Sequence, residues 1–127
     1  MDVVGHPSVV QGCSMEPTLC GNQNRWWKCD TVWVNKLRRT PHAGDIFVFT
    51  YPRDPNRAHI KRVAHVAGEM IRLRNQDFFQ IPENHFWMVS DNSTNANDSY
   101  VYGPVNRGLF KGQATRIIWP PNRWRKL

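Results

Sequence analysis

Nine prolines and eight glycines spread along 127 residues constrain this chain more than any other feature. Proline lacks a backbone N–H and clashes with the preceding helical turn, so few stretches are left where a long helix can run. Between these breakers lie short runs rich in β-branched and aromatic residues, the side chains that suit a pleated, half-buried surface. The runs predict strands over residues 31–35, 46–51, 60–67, 70–74, 78–81, 86–90 and 115–119. Met70-Ile71-Arg72-Leu73-Arg74 alternates, whereas Ile46-Phe47-Val48-Phe49 is apolar throughout, the pattern of a strand buried on both faces. Asp54-Pro55-Asn56 and Glu83-Asn84-His85 read as turns, residues 91–99 as a polar loop, and only 17–19 and 106–110 as short helical turns. The fold class is mostly β.

Composition narrows the function classes. The length fits one domain, and 21% charged against 40% hydrophobic residues is a globular balance rather than a disordered one. Seventeen Lys+Arg against ten Asp+Glu give +7, which suits an anionic partner without choosing between nucleic acid and lipid. No zinc-finger, helix-turn-helix or RNP-like pattern is visible and the basic residues are dispersed, so no nucleic-acid partner is expected. No apolar run approaches the ~18 residues of a membrane span. Residues 1–11 have neither a basic n-region nor an apolar h-region, so the chain as written reads as soluble. Cys13, Cys20 and Cys29 are odd in number and form no CxxC pair, leaving free thiols or one disulfide with a leftover. The five scattered histidines contain no HExxH pair, and neither a metal nor a cofactor is expected.

Three stretches can carry chemistry. In Gly12-Cys13-Ser14-Met15-Glu16-Pro17-Thr18-Leu19, Gly12 permits a tight backbone approach and Pro17 stiffens the chain just after a serine. A turn serine bonded to its own backbone gives the same pattern. In Ile60-Lys61-Arg62-Val63, period two puts Lys61 on one strand face with Val63, His65 and Ala67, and Arg62 on the other with Ala64 and Val66. A lysine on an apolar face loses the solvation of its ammonium and gives up its proton more easily. The magnitude decides the matter: at an ordinary pKa of about 10.4 a lysine is about 0.04% neutral at pH 7, useless as a base, whereas at a pKa of about 7 half of it is neutral. A snorkelling lysine at a strand edge fits the same pattern. The third stretch runs from Ser90-Asp91-Asn92 to Asp98-Ser99, followed by Gly103-Pro104-Val105. Such loops often only turn the chain; alternatively, Asp98 pairs with Arg62 and fixes the strand that bears Lys61.

Taken in order, Ser14-Met15-Glu16-Pro17-Thr18-Leu19, Gly44-Asp45-Ile46-Phe47-Val48-Phe49, Ile60-Lys61-Arg62-Val63 with Gly68-Glu69, Asp91-Asn92, and Asp98-Ser99 with Gly103-Pro104-Val105 resemble the type I signal peptidases. The likeness covers nearly the whole chain from Gly12 onward. The closing Trp119-Pro120-Pro121-Asn122-Arg123-Trp124-Arg125-Lys126-Leu127 resembles one branch of that family, the second subunits of the mitochondrial inner membrane peptidases. The resemblance implies a compact antiparallel, barrel-like sheet with short helical turns, forming a single catalytic domain over residues 1–127. It implies Ser14 as nucleophile and Lys61 as general base of a Ser-Lys dyad, with the Ser14 backbone N–H as an oxyanion donor. Arg62, Asp91 and Asp98 fall at supporting positions. Met15 and Pro17 shape the serine loop beside a shallow apolar groove suited to an extended peptide added as a strand. The implied activity is a serine endopeptidase that removes N-terminal sorting presequences at the intermembrane-space face of the mitochondrial inner membrane. The implied partners are presequence-bearing proteins, subunit 1 of the same peptidase in a heterodimer, and the inner membrane surface.

Several positions depart from the family pattern. Gly12 stands where bacterial members have a serine as oxyanion donor, so a second donor is unassigned. Ala96 stands where many members have a serine that orients the lysine, a role left to Ser93, Thr94 or Ser99. Ser90-Asp91-Asn92 replaces Gly-Asp-Asn, and Asp98-Ser99-Tyr100 replaces Asp-Ser-Arg. Only 13 residues precede Ser14, where the family has an anchoring helix, so the sequence reads as a fragment, a short isoform or an anchorless paralogue; if it still associates with the membrane, attachment is expected from an apolar surface, a partner or basic attraction to lipid. Arg123, Arg125 and Lys126 interleaved with Trp119 and Trp124 suit an interfacial patch, and equally a packed tail with solvated charges. A non-catalytic, stabilising subunit is the rival reading; Gly12 and Ala96 motivate it, and Ser14 with Lys61 counts against it.

Overall fold

The computed structural model describes residues 5–11, 14–19, 21, 29–36, 40–92 and 97–127. Ten strands and one short helix order these residues: β1 (Gly5–Val9), β2 (Thr31–Asn35), β3 (Ile46–Thr50), β4 (Ala58–His65), β5 (Met70–Arg72), β6 (Phe78–Gln80), β7 (His85–Val89), α1 (Ser99–Tyr102), β8 (Val105–Asn106), β9 (Phe110–Trp119) and β10 (Arg125–Lys126). The mostly β expectation holds, and each of the seven predicted strands is present with ends shifted by a few residues. The main sheet runs β1-β2-β9-β3-β4-β7-β8, every pair antiparallel, with β10 on β9 and a separate β5–β6 hairpin. No helix among the described residues is long and apolar enough to cross a membrane.

Strand β1 was not predicted, because Gly5-His6-Pro7-Ser8-Val9 carries a proline and no clean alternation. It exists because it lies at the end of the sheet order, where a proline breaks no ladder on its outer side. The predicted helical turn at 106–110 appears as the 3-10 turn Arg107–Leu109. The one at 17–19 is a turn in which the Leu19 N–H donates to the Met15 carbonyl at 2.9 Å. The polar loop ends in an unforeseen helix, α1, capped by Asp98, whose side chain accepts from the Tyr100 N–H.

Strand β3 is the divider of the core. Ile46 and Val48 face a cluster with Val10, Met15, Leu19, Val32, Val34, Ala114 and Ile117. Phe47 and Phe49 face another with Val63, Phe86, Met88 and Val105. Its unbroken apolar run therefore does what such a run suggests: both faces are buried. The sheet also coils. Strands β1 and β4 are four places apart in the order, about 19 Å if the sheet were flat. Yet Ser8, Val9 and Val10 line the same cleft as Ala58, Ile60 and Lys61. Coiling of this kind closes a sheet toward a barrel.

Close packing between β2 and β9 depends on Gly112. A Cβ there would stand 2.6 Å from the Asn35 carbonyl oxygen and 2.7 Å from Val34 Cγ1. Gly112→Ala is expected to cost about 1–3 kcal/mol through overpacking, read as a lower urea midpoint. Lys111→Ala, next to it but exposed, should change stability by no more than about 0.5 kcal/mol. Equal midpoints for the two variants would contradict so close an approach.

Candidate active site

The two residues singled out for acyl chemistry meet. Lys61 Nζ donates to Ser14 Oγ at 2.6 Å, across 47 residues of sequence. Lys61 is held on β4 opposite Phe47, on the face it shares with Val63, and only 5% of it is exposed. Strand parity thus anticipated its apolar surroundings. Ser14 opens a turn whose next residue, Met15, and whose last, Leu19, are driven into the core beneath at 1% and 0% exposure. Those two apolar anchors leave the serine at the surface of the cleft, and the Asn92 N–H fixes the Ser14 carbonyl at 2.8 Å. Pro17 is exposed on the outer side of the turn.

The supporting charges are arranged differently from the expected Asp98–Arg62 pair. Arg62 forks onto Asp91 instead, Nε to Oδ1 and Nη2 to Oδ2, both at 2.9 Å, and its Nη1 donates to the Gly44 carbonyl at 2.7 Å. Burial pushes the Asp91 carboxyl up, but hydrogen bonds from Arg62 and the Thr18 side chain outweigh it, and the net pKa is lowered. The hydrogen bond to Asp91 raises the Arg62 guanidinium against the effect of its own partial burial. Asp98 is occupied instead by backbone donors: Oδ1 accepts from the Tyr100 N–H and Oδ2 from the Ser90 N–H, both at 3.1 Å. Ser99, a candidate to orient the lysine, is buried and accepts from the Met88 N–H at 2.9 Å. Gly12, Cys13, Cys20, Ser93, Thr94 and Ala96 lie outside the described residues.

A cleft of about 650 Å³ opens at Ser14 and Lys61, walled by Val9 at the end of β1 and the next residue, Val10, on one side and Ala58, His59 and Ile60 of β4 on the other, with Val32 and Val48 at its base. Residues 58–60 pair with β3 but lie before the first β7 partner, Arg62, so this part of β4 has an edge turned away from β3. Such a cleft, lined by two strand edges and an apolar floor, has the form that receives an extended chain. His59 stacks on Tyr51 with ring centroids 4.3 Å apart, and Tyr102 meets both rings edge-on. Nothing in the sequence pointed to His59 or Tyr51, because their meeting is a cross-strand one. The tail divides between the two readings. Arg123 turns inward to the buried Asp30, while Trp119 and Trp124 are exposed.

Comparison with known proteins identifies relatives of the chain. Residues 2–79 match the family described as signal peptidase, peptidase S26. The chain is 34% identical over 133 residues to mitochondrial inner membrane protease subunit 2 of Danio rerio, covering 100% of this chain and 71% of the relative. It is 32% identical over 131 residues to the protein of the same name in Saccharomyces cerevisiae, covering 95% and 72%. It is 35% identical over 127 residues to mitochondrial inner membrane protease subunit 1 of Homo sapiens, covering 94% and 72%.

The histidine beside Lys61 gives the cleft a pH signature. Burial first, then the charges of Lys61 and Arg57, lower its pKa from 6.5 to about 4. Between those two values the unfolded chain binds the proton and the folded chain does not, so stability falls as pH drops through that window. His59→Phe keeps a ring against Tyr51 and should flatten this dependence. Urea midpoints at about pH 7 and about pH 5 check it; an equal drop in both proteins would contradict the assignment.

Proposed function

The chain belongs to the signal peptidase family, peptidase S26, and from that premise we propose that it is a serine endopeptidase with Ser14 as nucleophile and Lys61 as general base. The observation that carries the reading is the 2.6 Å approach of Lys61 Nζ to Ser14 Oγ, made by a lysine that is only 5% exposed. Burial disfavours the ammonium and so favours the neutral amine a base requires. In the proposed cycle, Lys61 takes the Ser14 hydroxyl proton as Oγ attacks the scissile carbonyl. The tetrahedral intermediate collapses, the peptide C–N bond breaks, and the Lys61 ammonium returns the proton to the leaving amine. Water, deprotonated by the same amine, then hydrolyses the ester and frees Ser14. The Ser14 backbone N–H is the proposed oxyanion donor.

The remaining assignments follow from the same geometry. Arg62 and Asp91 hold the loop of Asn92 against Ser14, and Asp98 orders the next turn by capping α1. Met15 serves as the buried anchor of the serine turn and Pro17 as its outer stiffener. The substrate is an extended peptide added between β1 and the start of β4, within a single catalytic domain over residues 1–127. The relatives are named as mitochondrial inner membrane proteases, in both subunit 1 and subunit 2 forms. By that likeness, we assign the chain to the intermembrane-space face of the inner membrane, to presequence-bearing proteins as substrates, and to a subunit 1 protein as heterodimer partner. Exposed Trp119 and Trp124, near Lys126, suit contact with the membrane surface.

The test is cleavage, in detergent, of a presequence peptide with a small residue before the cut. Ser14→Ala and Lys61→Met should each lower turnover by at least about 100-fold with the fold intact. Asp98→Ala should lose less, since its side chain acts through α1 and not on the reacting atoms. Near wild-type turnover in either of the first two variants would remove the dyad. If wild type is silent, a subunit 1 protein is added: Ser14-dependent cleavage then means an obligate complex, and continued silence means a non-catalytic, stabilising subunit.

A further inference from the structure

One carboxylate deep in the fold has no part in the cycle above. Asp30 is 0% exposed and precedes β2, and its carbonyl accepts from the Val10 N–H at 2.8 Å. Its side chain meets the fork of Arg123, Nε to Oδ1 at 2.8 Å and Nη2 to Oδ2 at 3.0 Å. The same Nη2 donates to the Thr18 carbonyl at 3.3 Å, and Arg125 donates to that carbonyl as well. Arg123 belongs to the 3-10 turn Pro121–Arg123, between β9 and β10, so these bonds span 93 and 105 residues of sequence. Thr18 lies next to Leu19, the last residue of the turn that begins at Ser14.

We propose that Arg123 is a positioning residue for the nucleophile. With Asp30 as its buried counter-charge, it fastens the C-terminal segment onto the Ser14–Leu19 turn and so keeps the Ser14 hydroxyl at its distance from Lys61. The inference rests on the dyad reading given above. The turn is gripped from two sides. On one, Asn92 holds the Ser14 carbonyl and Asp91 the Thr18 side chain. On the other, Arg123 and Arg125 hold the Thr18 carbonyl. Met15 and Leu19 anchor the turn between them, so releasing the second grip lets it pivot about its apolar feet.

The residue type fits the task. A guanidinium offers five donors in one plane, enough to fork onto a carboxylate and still reach a carbonyl, whereas an ammonium is a point charge without that geometry. A buried ion pair is also a poor device for stability alone, because apolar residues of similar volume often do as well. What the pair supplies here is direction. A misplacement of about 1 Å at a reacting group can cost about 100-fold in rate, so a tether this far from the scissile bond still acts on turnover.

The experiment uses Arg123→Lys and the paired variant Asp30→Leu/Arg123→Met. Arg123→Met alone takes the forked counter-charge from a buried carboxylate and can unfold the protein; the paired variant removes both charges. Two readouts are taken: kcat and KM on the presequence peptide, and amide exchange at Leu19 compared with β3 and β4. The paired variant should lose about 10–100-fold in kcat with KM within about twofold. Its Leu19 amide should exchange at least about 10-fold faster while β3 and β4 stay protected. Arg123→Lys should fall between it and wild type in kcat. Wild-type kcat in the paired variant overturns the proposal, whatever Leu19 does. Loss of protection across β3 and β4 also overturns it, because the pair would then support the whole sheet. If wild type cleaves nothing even with a subunit 1 protein added, the dyad reading fails separately, and exchange alone decides: faster Leu19 against an unchanged sheet keeps the tether, and no change removes it.

Discussion

Burial of β3 on both faces is the constraint from which the site follows. A strand that presents Ile46 and Val48 to one cluster and Phe47 and Phe49 to another cannot slip by one residue without exchanging aliphatic for aromatic surface on both sides. Its register fixes β4 alongside, and β4 then has no choice about Lys61: opposite Phe47, the amine must sit against apolar surface. The same strand carries the floor of the cleft through Val48. The position of the lysine is thus a by-product of core packing rather than of local polar bonds.

The serine arrives by another route. No ladder holds Ser14; the turn that carries it is fixed by two apolar side chains below and by polar contacts at its two ends. Arg62–Asp91 and Arg123–Asp30 are both bidentate and reach the same residue, Thr18, one through its side chain and the other through its carbonyl. Single surface ion pairs contribute little to stability, but each of these pairs is partly withdrawn from water, where orientation is better defined than in solvent. A turn held this way is precise without being part of a sheet.

What was legible in the sequence was what depends on neighbours. The apolar run of β3, the parity that buries Lys61 and the breakers that forbid long helices are local, and all three appear in the fold. The Ser14 loop and Lys61 were legible as motifs because their spacing resembles a family, although their meeting across 47 residues was not derivable from period or propensity. Strand β1 was hidden because edge strands tolerate the very residues that argue against strands. The partner of Arg62 was misjudged for a similar reason: Asp91 and Asp98 are alike in sequence, and only the amides of α1 and Ser90 decide which of them is already occupied. Asp30 and Arg123 left no signal at all, since nothing at either position hints at the other 93 residues away.

The electrostatics of the cleft depend as much on two aromatic neighbours as on Ser14 and Lys61 themselves. His59 is held neutral down to about pH 4, chiefly by burial. Burial, with Asp98 and Tyr51 nearby, raises the Tyr102 hydroxyl well above its ordinary value. Neither ring therefore changes charge in the neutral range, and the field the two rings set beside Ser14 and Lys61 is constant there. Desolvation that would make a lysine usable as a base is the same desolvation that silences the histidine two residues before it on the strand. The aromatic side chains laid down beside the cleft by the packing of β3 against β4 thus keep their own charge state constant where Lys61 is buried.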